Sequence, residues 1–290
     1  AFAARTPCVH TYHGNVFEGY FSRKKTALYL MIERLLARGT RRIIAISPRQ
    51  QFDLTNRFRV APAARVSTVR LGFDLNGFLE VAEKRFTEND GHPGFAVGWV
   101  GRLTAVKDPV MVPQIAALCA GVEAVSSFVM VGGGELQAEV EAEKLRLNLN
   151  GTLRLMGWLR DMPSTYEQID VLLLTSRNEG TPVAAIEAMA AGCAVVLPDV
   201  GGVSDLMSGS PEPRDGYSIY DNGILVARRT PETFADALKW LASDPQRRLQ
   251  MGRSASAFAQ QNYSKERLVH EIEKVYASVL DGINAGKNKN

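Results

Sequence analysis

The sequence predicts an α/β protein of two domains, each a parallel sheet covered by helices. Three observations lead there. From Phe95 onward, short apolar runs alternate with amphipathic stretches, the pattern of strands buried on both faces and separated by helices. The length, 290 residues, suits two domains and can bury a substantial core. A polar, breaker-rich stretch, Glu88-Asn89-Asp90-Gly91-His92-Pro93-Gly94, divides the chain.

Taken in order, residues 8–11 read as a strand, 26–36 as an apolar helix, 42–46 as a buried strand, Pro48 onward as a helix and 65–71 as a strand. In the first helix Leu28, Leu30, Met31, Leu35 and Leu36 are assigned to the domain core. Residues 74–94 are assigned to a linker. Strands follow at 95–100, 127–131, 152–156, 170–175, 194–198 and 223–227, with helices near 108–120, 135–147, 163–168, 182–191 and 203–208. Three helical patterns close the chain at 231–243, 245–261 and 264–280, with Pro231-Glu232 and Ser264-Lys265-Glu266 as starts. The polar tail from Gly282 is expected to fray. The domains are drawn at 1–90 and 91–262, with 263–290 as a terminal helix and tail.

Chemistry concentrates after the strands. The apolar run Val171-Leu172-Leu173-Leu174 delivers Arg177-Asn178-Glu179-Gly180-Thr181-Pro182 to a helix that carries Glu187. Thr181 suits the N-cap, Pro182 the first helical position and Gly192 the position past the helix end. Free N–H groups at such a start attract anions. Glu179 and Glu187 then flank that point, and ionised carboxylates, being acceptors only, pair with diols. Glu187 is embedded among Ala185, Ile186, Ala188 and Met189, where a carboxylate needs a polar partner. Right-handed crossovers place every such loop on one sheet edge, where open α/β sheets bind ligands.

In Gly101-Arg102-Leu103-Thr104-Ala105-Val106-Lys107, Gly101 permits a sharp turn, and Arg102 and Lys107 can flank a diphosphate or stand as solvated charges. Gly132-Gly133-Gly134-Glu135 reads equally as a tight turn and as a place of close ligand approach. No Lys-Ser/Thr follows the glycines, so it is not a P-loop. Trp158-Leu159 ends the third strand of this domain, and Trp158 either stacks on a ligand or packs. His10 and His13 differ by an odd number, so a straight strand points them to opposite faces. With no nearby Cys or His to join them, a metal cluster is not predicted. There is no D-x-D.

These elements together resemble the retaining nucleotide-sugar glycosyltransferases of GT-B fold, group 4. The resemblance rests on His13-Gly14, Gly101-Arg102-Leu103 with Lys107, Gly132-Gly133-Gly134, E-G-x-P-x-x-x-x-E-A-M-A-x-G from Glu179, Val195-Val196 and Gly201-Gly202. It implies a GT-B-like architecture of two Rossmann-like domains, and a chain lacking much of the first. It further implies transfer of a hexosyl group to an acceptor hydroxyl with retention of configuration, in polysaccharide or glycolipid synthesis of the cell envelope. The implied catalytic set is Glu179, His13, Arg102 and Lys107. The implied donor-binding set is Gly101, Gly133, Trp158, Leu159, Gly180, Thr181, Pro182, Val183 and Glu187, with Glu187 on the ribose, the 158–159 loop on the base and the cations on the diphosphate. The expected partners are a nucleotide-sugar donor and a sugar or lipid-linked acceptor; neither metal nor other cofactor is implied. Where the family has Glu after its glycine pair, this chain has Asp205, one methylene shorter. The other reading is a nucleotide-sugar-binding module without turnover.

A net charge of +3 gives no basis for nucleic-acid binding. Cys8, Cys119 and Cys193 are far apart without C-x-x-C, which suits a reducing compartment, and no signal peptide is recognisable. No apolar run is long enough to span a bilayer. The expected location is cytoplasmic, at the inner face of the membrane. Residues 23–42 hold seven basic side chains and one acid, Glu33, so the first helix reads either as a peripheral membrane contact or as an ordinary solvated face.

Overall fold

The computed structural model describes residues 6–13, 22–88 and 94–287. Gly14 and residues 89–93, near the end of the expected linker, lie outside them. The chain divides into two units, one of 1–73 with 262–290 and one of 74–261.

Among the described residues the first unit holds three parallel strands in the order β1 (Val9–Tyr12), β2 (Arg42–Ala45), β3 (Val66–Thr68). Between β1 and β2 runs α1 (Arg23–Gly39). After β2, Ser47 caps α2 (Pro48–Phe52) by accepting from the Gln50 N–H, and Pro48 occupies a first-turn position that needs no donor. The core gathers Ala37, Ile43, Ala45, Leu54, Phe58 and Val66. Only Leu30 of the five apolar α1 residues assigned to the core packs against it. Leu28, Met31, Leu35 and Leu36 are exposed, Leu35 by 61%. This corrects the sequence reading: the helix presents an apolar face, and the described residues do not cover it.

Asn76–Glu88, within the span read as linker, forms α3 and opens the second unit. Its Arg85 donates to the carbonyls of Tyr166, Ile169 and Ala191 and to Asp170, so one guanidinium ties α3 to several loops. The sheet contains β4 (Phe95–Val100), β5 (Val125–Val131), β6 (Leu153–Leu155), β7 (Val171–Leu173), β8 (Ala194–Pro198), β9 (Glu212–Pro213), β10 (Tyr217–Tyr220) and β11 (Gly223–Val226). Their order is β6-β5-β4-β7-β8-β11-β10-β9. The first six are parallel, and β10 and β9 add an antiparallel edge. The helices are α4 (Met111–Leu118), α5 (Gln137–Arg146), α6 (Met162–Glu167), α7 (Val183–Ala190), α8 (Pro231–Ser243) and α9 (Pro245–Tyr263). Strands β4 to β6 progress one way across the sheet, and the chain then returns to place β7 on the other side of β4. The strand order therefore switches between β4 and β7, the position where such sheets bind ligands.

The last helix, α10 (Lys265–Lys287), groups with the first unit. Its Arg267 donates to the carbonyls of Arg70 and Leu71. Gly72 is required there, since an added Cβ would stand 2.5 Å from Leu268 Cβ.

Candidate donor site at the strand edge of the second unit

The loops after β4 and β7 are joined by polar contacts. Lys107 Nζ donates to Glu179 Oε1 at 2.6 Å, and Ser176 Oγ donates to the same oxygen at 2.6 Å. The Glu179 side chain is only 7% exposed, so this carboxylate is nearly out of water and is held by a cation and a hydroxyl. Its second oxygen accepts no hydrogen bond among the described residues. Lys107 was expected to stand as a cation for a diphosphate and Glu179 beside a sugar; here the two meet directly.

A second set of bonds braces this pair. Thr175 Oγ1 accepts from Trp99 Nε1 and donates toward the carbonyls of Lys107 and Asp108. Asp108 has φ of 51°, a left-handed conformation that costs a non-glycine residue about 1–2 kcal/mol. Arg177 and Arg229 both donate to its carboxylate and offset that cost. The Arg177 N–H also donates to the Val106 carbonyl. The Lys107 loop is thus fixed before any ligand arrives.

The glycines divide between packing and access. At Gly132 a Cβ would fall 1.8 Å from the Gly101 carbonyl oxygen, and at Gly134 2.5 Å from that of Leu103, so the crossing of the two loops itself needs both. At Gly133 it would fall 2.7 Å from Trp158 Nε1; the indole lies against this glycine and is 69% exposed. Gly101 directs the chain from β4, and its N–H bonds the Val131 carbonyl. Leu159 is half-buried and follows Trp158. Arg102 is exposed and has no side-chain partner among the described residues.

The helix after the Glu179 loop begins one residue later than the sequence suggested. Pro182, not Thr181, is the N-cap, and Val183 is the first helical residue. No side chain caps the helix, so its first N–H groups are left to solvent or to a ligand. Gly180 faces open space, Val183 is exposed, and Gly192 past the helix end takes φ of 74° as expected. Gly201 is confined by the Glu179 carbonyl, which lies 1.8 Å from where its Cβ would be. Glu187 points its Oε2 to the Tyr166 hydroxyl at 3.2 Å. Burial pushes its carboxyl above the usual range, and the Tyr166 bond acts in the opposite direction. His13 follows β1 in the other unit and is exposed.

Sequence reasoning missed Ser176, Thr175, Asp108 and Tyr166. Ser176, three residues before Glu179, had a local signal in its spacing. Tyr166 had none, because only the folded chain, with α6 and α7 both packed on α3, brings its hydroxyl to Glu187. Among the described residues no three His, Cys, Asp or Glu side chains gather as a metal site. None of their helices is long and apolar enough to cross a membrane.

The fold and site define a Rossmann-like α/β unit whose strand edge presents an exposed Arg, a Lys–Glu pair, an uncapped helix start and a second, half-buried carboxylate. The family model for glycosyl transferases group 1 matches residues 94–244, more than half of the chain, and the chain belongs to that family. A model for glycosyltransferase family 4 matches residues 1–76. Among curated proteins, the chain is 28% identical to the UDP-Gal:alpha-D-GlcNAc-diphosphoundecaprenol alpha-1,3-galactosyltransferase of Escherichia coli over 83% of this chain and 62% of that protein. It is 32% identical to a D-inositol 3-phosphate glycosyltransferase of Corynebacterium urealyticum over 74% of this chain and 52% of that one. The chain thus spans about half to three-fifths of the length of these relatives. Among solved structures, Anabaena HepE in complex with UDP matches with a TM-score of 0.78 at 22% identity, covering 96% of this chain and 74% of that one. Sucrose-phosphate synthase of Thermosynechococcus elongatus matches with a TM-score of 0.74 at 22% identity, covering 94% and 68%. The fold is that of the GT-B glycosyltransferases.

Proposed function

We propose that the protein is a retaining glycosyltransferase that moves a hexosyl group from a nucleoside-diphosphate sugar to an acceptor hydroxyl. The observation that carries this reading is the Lys107–Glu179 pair, which joins the loops after β4 and β7, the two loops that also carry Arg102 and lead into the uncapped start of α7. Arg102, Lys107 and the amide groups from Gly180 to Val183 hold the diphosphate and stabilise the charge that gathers on it as the glycosidic bond breaks. To reach a phosphate, Lys107 shares itself between the anion and Glu179, whose free oxygen remains for a sugar hydroxyl. Glu187 accepts from the ribose hydroxyls. Gly101, Gly133, Trp158 and Leu159 form the nucleoside side, with the indole offering a stacking face. Thr181 and Pro182 shape the turn into α7. His13 is assigned to orienting the transferred sugar on the resemblance alone. No protein nucleophile, metal or other cofactor is assigned.

The E. coli relative is named for a UDP-sugar donor and a lipid diphosphate acceptor, and HepE was solved with UDP and with UDP-glucose. These support a nucleotide-sugar donor and, less directly, a lipid-linked acceptor in envelope polysaccharide or glycolipid synthesis. The bare apolar face of α1, with Lys24, Lys25 and Arg38 on the same helix, supports a peripheral contact with the inner face of the membrane.

A thermal-shift panel of UDP, GDP, ADP and their sugars tests the donor reading, because a ligand that binds only the folded state raises Tm. One nucleotide is expected to stabilise the wild type, and Glu187→Ala to remove most of that shift. An undiminished shift in Glu187→Ala would withdraw the ribose assignment.

A further inference from the structure

Tyr166 is fully buried in α6, yet carries a hydroxyl. Its ring packs edge-on against Phe78, with centroids 5.8 Å apart. Phenylalanine would satisfy that packing. The hydroxyl instead reaches across to α7, where two acceptors face it: the Ala184 carbonyl at 3.0 Å and Glu187 Oε2 at 3.2 Å. A phenol has one hydrogen to give, and an ionised carboxylate is the stronger acceptor. The other Glu187 oxygen has no partner among the described residues. The carboxylate is therefore half committed to a buried donor and half free.

The Tyr166 backbone is also fixed. Asp161 caps α6 by accepting from the Ser164 N–H, and the Tyr166 carbonyl accepts from Arg85 at 2.8 Å. Phe78 and Arg85 both belong to α3. The hydroxyl is thus anchored on two elements that carry none of the donor-site residues. Burial, and then the Glu187 charge, push the phenol well above its ordinary value, so it stays a donor at any working pH.

We propose that Tyr166 is a positioning residue, whose hydroxyl holds one Glu187 oxygen so that the other is preset to accept from the ribose of a bound nucleotide. The inference rests on the reading of Glu187 given above and adds the group that orients it. A carboxylate on a short helix samples several rotamers, and fixing one beforehand removes an ordering cost from binding.

The test measures affinities of the full chain for UDP, GDP and ADP and for their 2′,3′-dideoxy counterparts, in wild type and Tyr166→Phe. Wild type is expected to prefer the ribose form of its nucleotide by about tenfold or more, as for hydrogen bonds to a charged group. Tyr166→Phe is expected to shrink that preference to about threefold while leaving dideoxy binding unchanged, which also shows that the variant is folded. A Tyr166→Phe chain that keeps the wild-type preference overturns the proposal. So does one that weakens both forms alike, since that marks a packing role only. A wild type that binds nucleotide but does not discriminate ribose overturns the Glu187 assignment, and one that binds none of the nucleotides overturns the donor reading itself; either takes this proposal with it.

Discussion

Helices α1 and α7 both follow a parallel strand, and both carry mostly apolar residues, yet they end in opposite surroundings. In α7, Ala185, Ile186, Ala188, Met189 and Ala190 are all fully buried. In α1, Leu28, Met31, Leu35 and Leu36 lie open. The difference lies in what each unit supplies as cover. The second unit has an eight-stranded sheet, and α3 and α6 pack near α7; the first has three described strands. A hydrophobic stripe tells which face of a helix seeks cover, but the rest of the fold decides whether cover exists.

The largest expected effect tests this contrast directly. Ile186→Ala should cost about 2–4 kcal/mol, as for other buried large-to-small changes, while Leu35→Ala should stay within about 0.5 kcal/mol. Chemical denaturation of both variants measures it. Equal losses would mean that Leu35 is covered in solution and would break the comparison.

Charge removal sharpens it on a smaller scale. Lys107→Met leaves the nearly buried Glu179 with Ser176 alone and should cost about 1–3 kcal/mol. Lys25→Met, on an exposed stretch of α1, should be neutral within about 0.5 kcal/mol. Nucleotide binding should weaken in the first variant and hold in the second. If Lys107→Met is as stable as the wild type, the Lys107–Glu179 pair does not form in solution.

What could be read from the sequence follows the same division. Strand β4 and helix α8 fall at the expected residues, 95–100 and 231–243, because apolar runs and the Pro231-Glu232 start are local signals. The start of α7 was misplaced by one residue, since Thr181 has cap chemistry but Pro182 holds the cap position. Helix α3 was missed inside a stretch whose end is rich in breakers. The β9–β10 edge was missed because two short strands carry too little pattern. The site loops were legible as motifs, but their mutual contacts were not. Glu179 and Lys107 stand 72 positions apart, and Glu187 and Tyr166 stand 21 apart. Spacing predicts such contacts only once strand order is known.

The central claim, that the edge between β4 and β7 grips a diphosphate electrostatically, is tested most directly by calorimetric titration of UDP, GDP and ADP, each against its monophosphate, into wild type and Arg102→Ala. Wild type should bind the diphosphate of its preferred nucleoside at least about tenfold tighter than the monophosphate, and Arg102→Ala should lose most of that preference while still binding the monophosphate. Equal affinity of the wild type for diphosphate and monophosphate, or a preference that survives in Arg102→Ala, would contradict the account.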